Sequence, residues 1–334
     1  MYDIWNRRYT GSKYKLADWI SDLISGNCSG NSFCDIFAGT GIISYKMIDK
    51  VDEIYINDFL YSNELIYKAF FFQSKFDENK MEAYRAKFHA LNASDLNDNY
   101  ISNNFGGKFF SENDSRLIGG IREAIEADRS KLSEKEFSIL LASLLYSADK
   151  CANTVGHYDA YIKGHDIVDS FSFDLISPYK ADKSNIHISR EDANELAQKL
   201  KCDIVYIDPP YNSRQYSRFY HVLENITCWK KPPLYGVALK PEPENMSEYC
   251  RSNANVFFKD LIDSLNCKYI VVSYNNTYDS KSSSSKNKMT LEDIETILKS
   301  RGKVKRFETA HNYFNAGKTD FNDHKELIFI VKVK

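Results

Sequence analysis

The chain reads as an α/β protein on an open, mostly parallel sheet, and three features predict this. A strand, a glycine turn, a helix and a second strand follow one another across Phe33–Asn57, the order of a βαβ unit. The run Ile204-Val205-Tyr206-Ile207 does not alternate with polar residues, as befits a strand buried on both faces. Asp208-Pro209-Pro210-Tyr211 closes it at once, because two prolines remove consecutive backbone donors and end the ladder.

Within residues 14–25, Leu16, Trp19, Ile20, Leu23 and Ile24 recur at helical spacing and predict an amphipathic helix. Phe33–Phe37 is a short strand running into Gly39-Thr40-Gly41; a helix restarts over Ile42–Ile48, and Ile54–Asn57 is the second strand. From residue 63 the texture changes. Glu64–Phe88, Ser115–Glu126 and Ser133–Asp149 mix aromatics and charges over helical lengths, with polar breaks at Asn92–Asn104 and Gly106-Gly107. This predicts a mainly helical insertion over 63–184. Strand texture resumes at Ile186–Ser189, Ile204–Ile207 and Tyr269–Ser273, and Glu326–Val333 reads as a closing strand. Ser282–Ser285, set between lysines, reads as a loop tip, and no internal repeat is visible.

At 334 residues and 43% hydrophobic, the chain can bury one full core and a second, smaller one. It has no long apolar run, and Met1-Tyr2-Asp3-Ile4-Trp5 lacks the charged-then-apolar order of a signal peptide. A soluble, cytoplasmic protein with no membrane contact is expected. Seven cysteines, without a Cys-x-x-Cys pair or histidines at zinc spacing, predict reduced core thiols and no metal. His157, Asp159, His165 and Asp166 are too irregularly spaced to change that reading.

A net charge of −2 gives no whole-molecule attraction to nucleic acid, so any such surface must be a local basic patch. Two candidates are Arg7, Arg8, Lys13 and Lys15, and the segment Lys281–Arg306 with eight Lys/Arg against three acidic residues. A solvated face would explain either.

Asp208–Tyr211 gathers a carboxylate, carbonyls without competing N–H groups and an aromatic ring at the carboxyl end of a strand. Open α/β sheets form their ligand crevice at that end. Acceptors beside a ring suit a planar base that carries an amine. In Asp35-Ile36-Phe37-Ala38-Gly39-Thr40-Gly41, the glycines let backbone approach a ligand at a strand-to-helix turn. An ordinary tight βα turn would read the same. Asp58 ends the next strand, 19 residues beyond Gly39, where an acid can accept ribose hydroxyls or cap a helix. No third glycine sits three residues past Gly41, and no Gly-Lys-Ser/Thr occurs. Hydride transfer and ATP hydrolysis are therefore disfavoured.

Asp208-Pro209-Pro210-Tyr211 resembles the catalytic motif of S-adenosylmethionine-dependent DNA methyltransferases acting on an exocyclic amine, adenine N6 above all. The longer stretch Asp208–Leu223 is similar to a branch associated with restriction–modification systems. The resemblance implies a seven-stranded, mostly parallel sheet, the Rossmann-like methyltransferase fold, with residues 63–184 as target-recognition region and 1–62 plus 185–334 as catalytic domain. It implies S-adenosyl-L-methionine as cofactor, held by Asp35, Phe37, Ala38, Gly39, Thr40 and Gly41 at the turn and by Asp58 at the ribose. In Arg8-Tyr9-Thr10-Gly11-Ser12-Lys13 it places Tyr9 on the cofactor and Lys13 against its carboxylate. Asp192, 16 residues before Asp208, would read the cofactor's adenine amine, although a helix start explains an acid there as well.

The catalytic set is then Asp208, Pro209, Pro210 and Tyr211, acting on a base flipped out of double-stranded DNA. Asn212, Ser213, Arg214, Gln215, Tyr216 and Arg218 would line the pocket mouth, and His157 and Tyr158, within Asn153–Tyr161, would lie near DNA. Tyr313–Lys318 also looks familial and would border a pocket, or form a hairpin turn. A bacterial host and a separately acting restriction endonuclease follow from the same resemblance. Three alternatives stay open: RNA adenine methylation, cytosine-N4 methylation, and a catalytically idle DNA-binding module. Cytosine-N4 enzymes more often carry Ser than Asp at position 208, and an intact Asp208–Tyr211 speaks against idleness.

Overall fold

The computed structural model describes residues 1–181, 185–276, 286–310 and 325–334. Its seven strands are β1 (Ser32–Asp35), β2 (Glu53–Asn57), β3 (Asn185–Ser189), β4 (Ile204–Ile207), β5 (Tyr269–Asn275), β6 (Gly302–Ala310) and β7 (Lys325–Val333). They form one sheet in the order β3-β2-β1-β4-β5-β7-β6. Every pair from β3 to β5 is parallel; β7 runs antiparallel to both β5 and β6. This is the Rossmann-like methyltransferase fold expected.

The helices, in chain order, are α1 (Ala17–Asn27), α2 (Ile42–Met47), α3 (Tyr61–Phe71), α4 (Glu78–His89), α5 (Tyr100–Phe105) and α6 (Glu112–Ala127). They continue with α7 (Glu134–Cys151), α8 (Ala193–Lys199), α9 (Tyr216–Phe219), α10 (His221–Cys228), α11 (Ala254–Ser264) and α12 (Leu291–Lys299). The helical stretch expected over Glu64–Phe88 is divided in two, and Asp77 caps the second half by accepting the Lys80 N–H.

Contacts divide the chain into two compact units. The sheet unit comprises Lys13–Phe59, Asp182–Gln215 and Asn245–Lys334. Alternate residues of its central strands, Cys34, Ile36, Val205, Ile207, Ile270, Val272, Leu327 and Phe329, pack against α8, α11 and α12. The intervening residues Phe33, Ile204, Val271 and Ile328 are equally buried on the other face, where α2 lies along β1 and α1 along α2. Burial on both faces explains the unbroken apolar reading of β4. Strand order reverses between β1 and β4, so their carboxyl ends flank the crevice that such a switch point creates.

The helical unit comprises Met1–Ser12, Leu60–Ala181 and Tyr216–Glu244. Its centre is α7, buried almost all round from Ser138 to Asp149 and started by a Ser133/Glu136 capping box. This grouping differs from the expected division at 62 and 185, since residues 1–12 and 216–244 fall with the helices. Tyr2 exchanges backbone hydrogen bonds with Leu175 and Ser177. On α10, Glu224 accepts the Tyr61 and Ser62 N–H groups at the start of α3.

The structure also removes the N-terminal basic patch. Arg7 is 6% exposed, donates to Asn63 and lies over the Tyr9 and Tyr220 rings. Arg8 donates to the Asp149, Ala152 and Thr154 carbonyls. Lys13 is buried, which leaves Lys15 alone exposed in this group. The described part of the second patch, residues 286–306, carries helix α12 and the start of strand β6. Its Arg306 pairs with Glu295 and Glu308, and Lys305 donates to Asn27, which suits a charged sheet edge. No described helix is long and apolar enough to cross a membrane.

Candidate active site

At the end of β1 the chain turns sharply. The Ala38 N–H reaches the Asn57 carbonyl at 2.9 Å, and the Gly41 N–H closes on the Ala38 carbonyl at 2.7 Å. Gly39 and Gly41 take φ of 55° and 76°, a region that side chains disfavour. Asp58, just past β2, accepts the Gly39 N–H at 2.9 Å through Oδ2. The two cofactor candidates singled out by spacing thus touch each other. Thr40 and Ala38 are buried, while Phe37 lies past the strand end and packs edge-on to Tyr249 at 5.1 Å.

Asp35 sits beneath this turn, 1% exposed, with Oδ2 accepting the Ser44 hydroxyl at 2.8 Å and Oδ1 buried without a protein partner. Burial pushes its carboxyl up to about 7, opposed by the Ser44 bond and assisted by the charges of Asp208 and Asp58. A carboxyl raised in the folded state gives stability that is complete below its ordinary value of 3.8 and lost as pH rises through about 7. Asp35→Asn keeps an acceptor for Ser44 and has no charge to bury. Relative to wild type, its melting temperature is expected to climb between about pH 4 and pH 7 and level off above. A difference that stays flat with pH would refute the assignment.

Asn57 was not singled out by the sequence, yet it organises the next loop. Its amide donates to the Ile36 and Glu191 carbonyls at 3.0 and 3.1 Å, and its oxygen accepts from Ser189 and the Glu191 N–H. That places Asp192, which caps α8 by accepting the Asn194 and Glu195 N–H groups through Oδ1. The helix-start reading of Asp192 therefore describes its contacts here.

Asp208 lies at the end of β4 among charged partners. Lys13 Nζ stands 2.9 Å from Asp208 Oδ2 and 3.2 Å from Glu326 Oε1, and donates to the Tyr211 hydroxyl at 2.7 Å. The Tyr211 hydroxyl in turn donates to Asp208 Oδ1. Glu326, the second residue of β7, also accepts the Ser273 hydroxyl of β5 at 2.8 Å. Burial alone would lower the Lys13 pKa; the carboxylates of Asp208 and Glu326 more than reverse this and keep it protonated. The ammonium expected against a cofactor carboxylate is engaged here by Asp208, Glu326 and Tyr211. Tyr211 is only partly exposed, meets Tyr274 edge-on at 4.9 Å, and accepts the Lys288 N–H through its carbonyl. Pro209 is buried and Pro210 partly so. This corner can present a carboxyl acceptor held in place by an ammonium and a phenol.

The extension past Tyr211 divides between the units. In the sheet unit, Asn212 accepts the Arg214 N–H and Ser213 is exposed. Gln215 uses both ends of its amide on Ser247, at 2.9 and 2.7 Å, so it braces the loop before α11. In the helical unit, Tyr216 stacks on Tyr9, which stacks in turn on Tyr220 at 4.7 Å and 6°. Arg218 donates to the Pro241 carbonyl, and His157 stacks on Phe219 at 4.6 Å. Tyr158 is 0% exposed and bonds to Asp149 at 3.1 Å; it supports the core and offers no surface to DNA, contrary to expectation. Tyr313–Lys318 and Ser282–Ser285 lie outside the described residues.

Residues 9–278 match the family model described as D12 class N6 adenine-specific DNA methyltransferase. The chain is 29% identical to the type II methyltransferase M.NlaIII of Neisseria lactamica, over 95% of both chains. It is 30% identical to M.CviAII of Paramecium bursaria Chlorella virus 1, over 98% of both. It is also 30% identical to M.FokI of Planomicrobium okeanokoites, over 97% of this chain and 52% of that protein. The chain therefore spans about half of M.FokI and nearly all of the other two.

Proposed function

This chain belongs to the D12 class N6 adenine-specific DNA methyltransferases, and from that premise we propose that it methylates adenine N6 in a defined sequence of double-stranded DNA. We assign it the modification role in a restriction–modification system, with any endonuclease acting separately. The observation that carries the reading is the Asp208 carboxyl group, pinned by Lys13 and Tyr211 at the carboxyl end of β4, beside the glycine turn of β1.

Adenine N6 is a poor nucleophile because its lone pair is delocalised into the ring. In this reading Asp208 and the Pro209 carbonyl each accept one amine hydrogen, drawing nitrogen toward tetrahedral geometry as positive charge develops. A preorganised acceptor acts here by electrostatics and needs no strong base. Tyr211 supplies a ring face to the base, a contact worth roughly 1–3 kcal/mol. Because a base within a duplex cannot reach the end of β4, the adenine is extruded at a cost of a few kcal/mol.

S-adenosylmethionine, when bound, supplies an electrophilic methyl on a sulfonium. The residues present fit it: Phe37–Gly41 give a side-chain-poor turn above Asp35, and Asp58 is an acid at the end of β2 suited to ribose hydroxyls. Asp192 follows β3, where it would meet the adenine amine. Incubation with DNA and labelled methyl donor, followed by nucleoside analysis, tests the proposal. N6-methyladenine in duplex DNA is the expected product. Label confined to RNA or to N4-methylcytosine, or no transfer at all, would overturn it.

A further inference from the structure

We propose that Glu326 is a positioning residue for methyl transfer: it shares the Lys13 ammonium, so that the Asp208 carboxylate is held in orientation and only half neutralised. This inference rests on the role given to Asp208 above.

Lys13 has three N–H donors, and among the described residues Asp208, Glu326 and Tyr211 stand around them at 2.9, 3.2 and 2.7 Å. The ammonium is thus locked, and its lock fixes the carboxylate beside it. The charge count matters more. Lys13 against Asp208 alone would be a neutral pair, a weak stabiliser of a nitrogen that becomes positive in the transition state. Glu326 adds a second negative charge and leaves the group at −1. Both Lys13 and Glu326 are nearly buried, 7% and 5% exposed, so the charge is poorly screened.

An unpaired excess charge in such a place destabilises the fold, and the structure spends the Ser273 hydroxyl to hold it at 2.8 Å. Among the described residues, the titratable groups facing Glu326 are Lys13 from the segment before α1 and Asp208 from the end of β4, with Tyr206 of β4 beside both Asp208 and Lys13. Burial raises the Glu326 carboxyl, Lys13 opposes that shift, and Asp208 adds to it. β7 brings Glu326 opposite Asn275 of β5, two residues past Ser273, so the sheet register itself delivers the carboxylate.

Glu326→Gln keeps the shape and an acceptor for Lys13 but removes the charge. Its single-turnover rate at saturating DNA and cofactor is expected to fall about tenfold, with both dissociation constants changed less than about twofold. Ser273→Ala leaves both carboxylates in place but removes the hydroxyl that orients Glu326, so it should lose about threefold in rate, again with both dissociation constants nearly unchanged. If Glu326→Gln does not fold, the rate of Ser273→Ala decides alone. An unchanged rate in a wild-type-active background overturns the proposal, as does a loss that merely follows melting temperature. An inactive wild type would instead reject the function assigned to Asp208.

Discussion

Replacing Asp208 with alanine is expected to slow methyl transfer by at least about 10³-fold while changing cofactor affinity by less than about threefold. The split follows from what Asp208 touches. Its carboxylate is held by Lys13 and by the Tyr211 hydroxyl, and its assigned partner is the target amine. The glycine turn and Asp58 keep their own bonds without it. The variant also leaves Lys13 with one counter-charge, Glu326, so the buried ammonium is not stranded. Asp208→Asn separates charge from shape: an amide fills the same space and accepts at one end but presents donors at the other. It should lose nearly as much rate as alanine, measured under single-turnover conditions. Retained turnover in either variant, or a cofactor affinity that falls with the rate, would remove Asp208 from the reacting centre.

How much of this was legible beforehand depends on where each residue draws its partners. β4 and β5 were readable because strands buried on both faces are mostly apolar, β1 and β2 because they flank the glycine turn, and the Asp208 and glycine-turn positions are defined by strand ends. β6 was not readable. It is an edge strand in which Val304 and Phe307 are only half-buried and lie on opposite faces, so no alternation shows and Lys303, Lys305 and Arg306 resemble a surface patch. Arg7 and Arg8 misled in the opposite sense. Guanidinium groups read as solvent-facing in sequence, yet here tyrosine rings and an Asp149 carbonyl enclose them.

Glu326 and Ser273 lacked any signal, because their meeting depends on β7 inserting between β5 and β6 at one particular register. The stretch after Tyr211 looked like a single functional surface. In the structure its later members, Tyr220 and His221, are core residues, and burial lowers the His221 pKa to about 4 so that it stays neutral. Glu224 follows that stretch directly, and its role is visible only once α10 is seen against α3.

Glu224→Ala is expected to destabilise the helical unit by about 2–3 kcal/mol, lowering its melting temperature by roughly 5–10 °C. Helix α3 begins after Leu60, whose side chain cannot cap it, so its first N–H groups need acceptors from elsewhere. Glu224 supplies both of its oxygens, at 3.1 Å to the Tyr61 N–H and 2.8 Å to that of Ser62, and its charge favours the positive end of the helix dipole. Ser62 and Asn63 are buried, so water cannot easily replace the lost acceptor. The damage should spread to the N-terminal segment, since Asn63, in the first turn of α3, accepts from Arg7. Hydrogen exchange should show α3 and residues 1–12 opening together, while the amides of β1, β4 and β5 in the sheet unit keep their protection. Glu224→Gln retains one good acceptor and should lose about half as much. If alanine leaves the melting temperature unchanged, the two bonds are not what starts α3. If the sheet amides lose protection equally, the two units do not open independently.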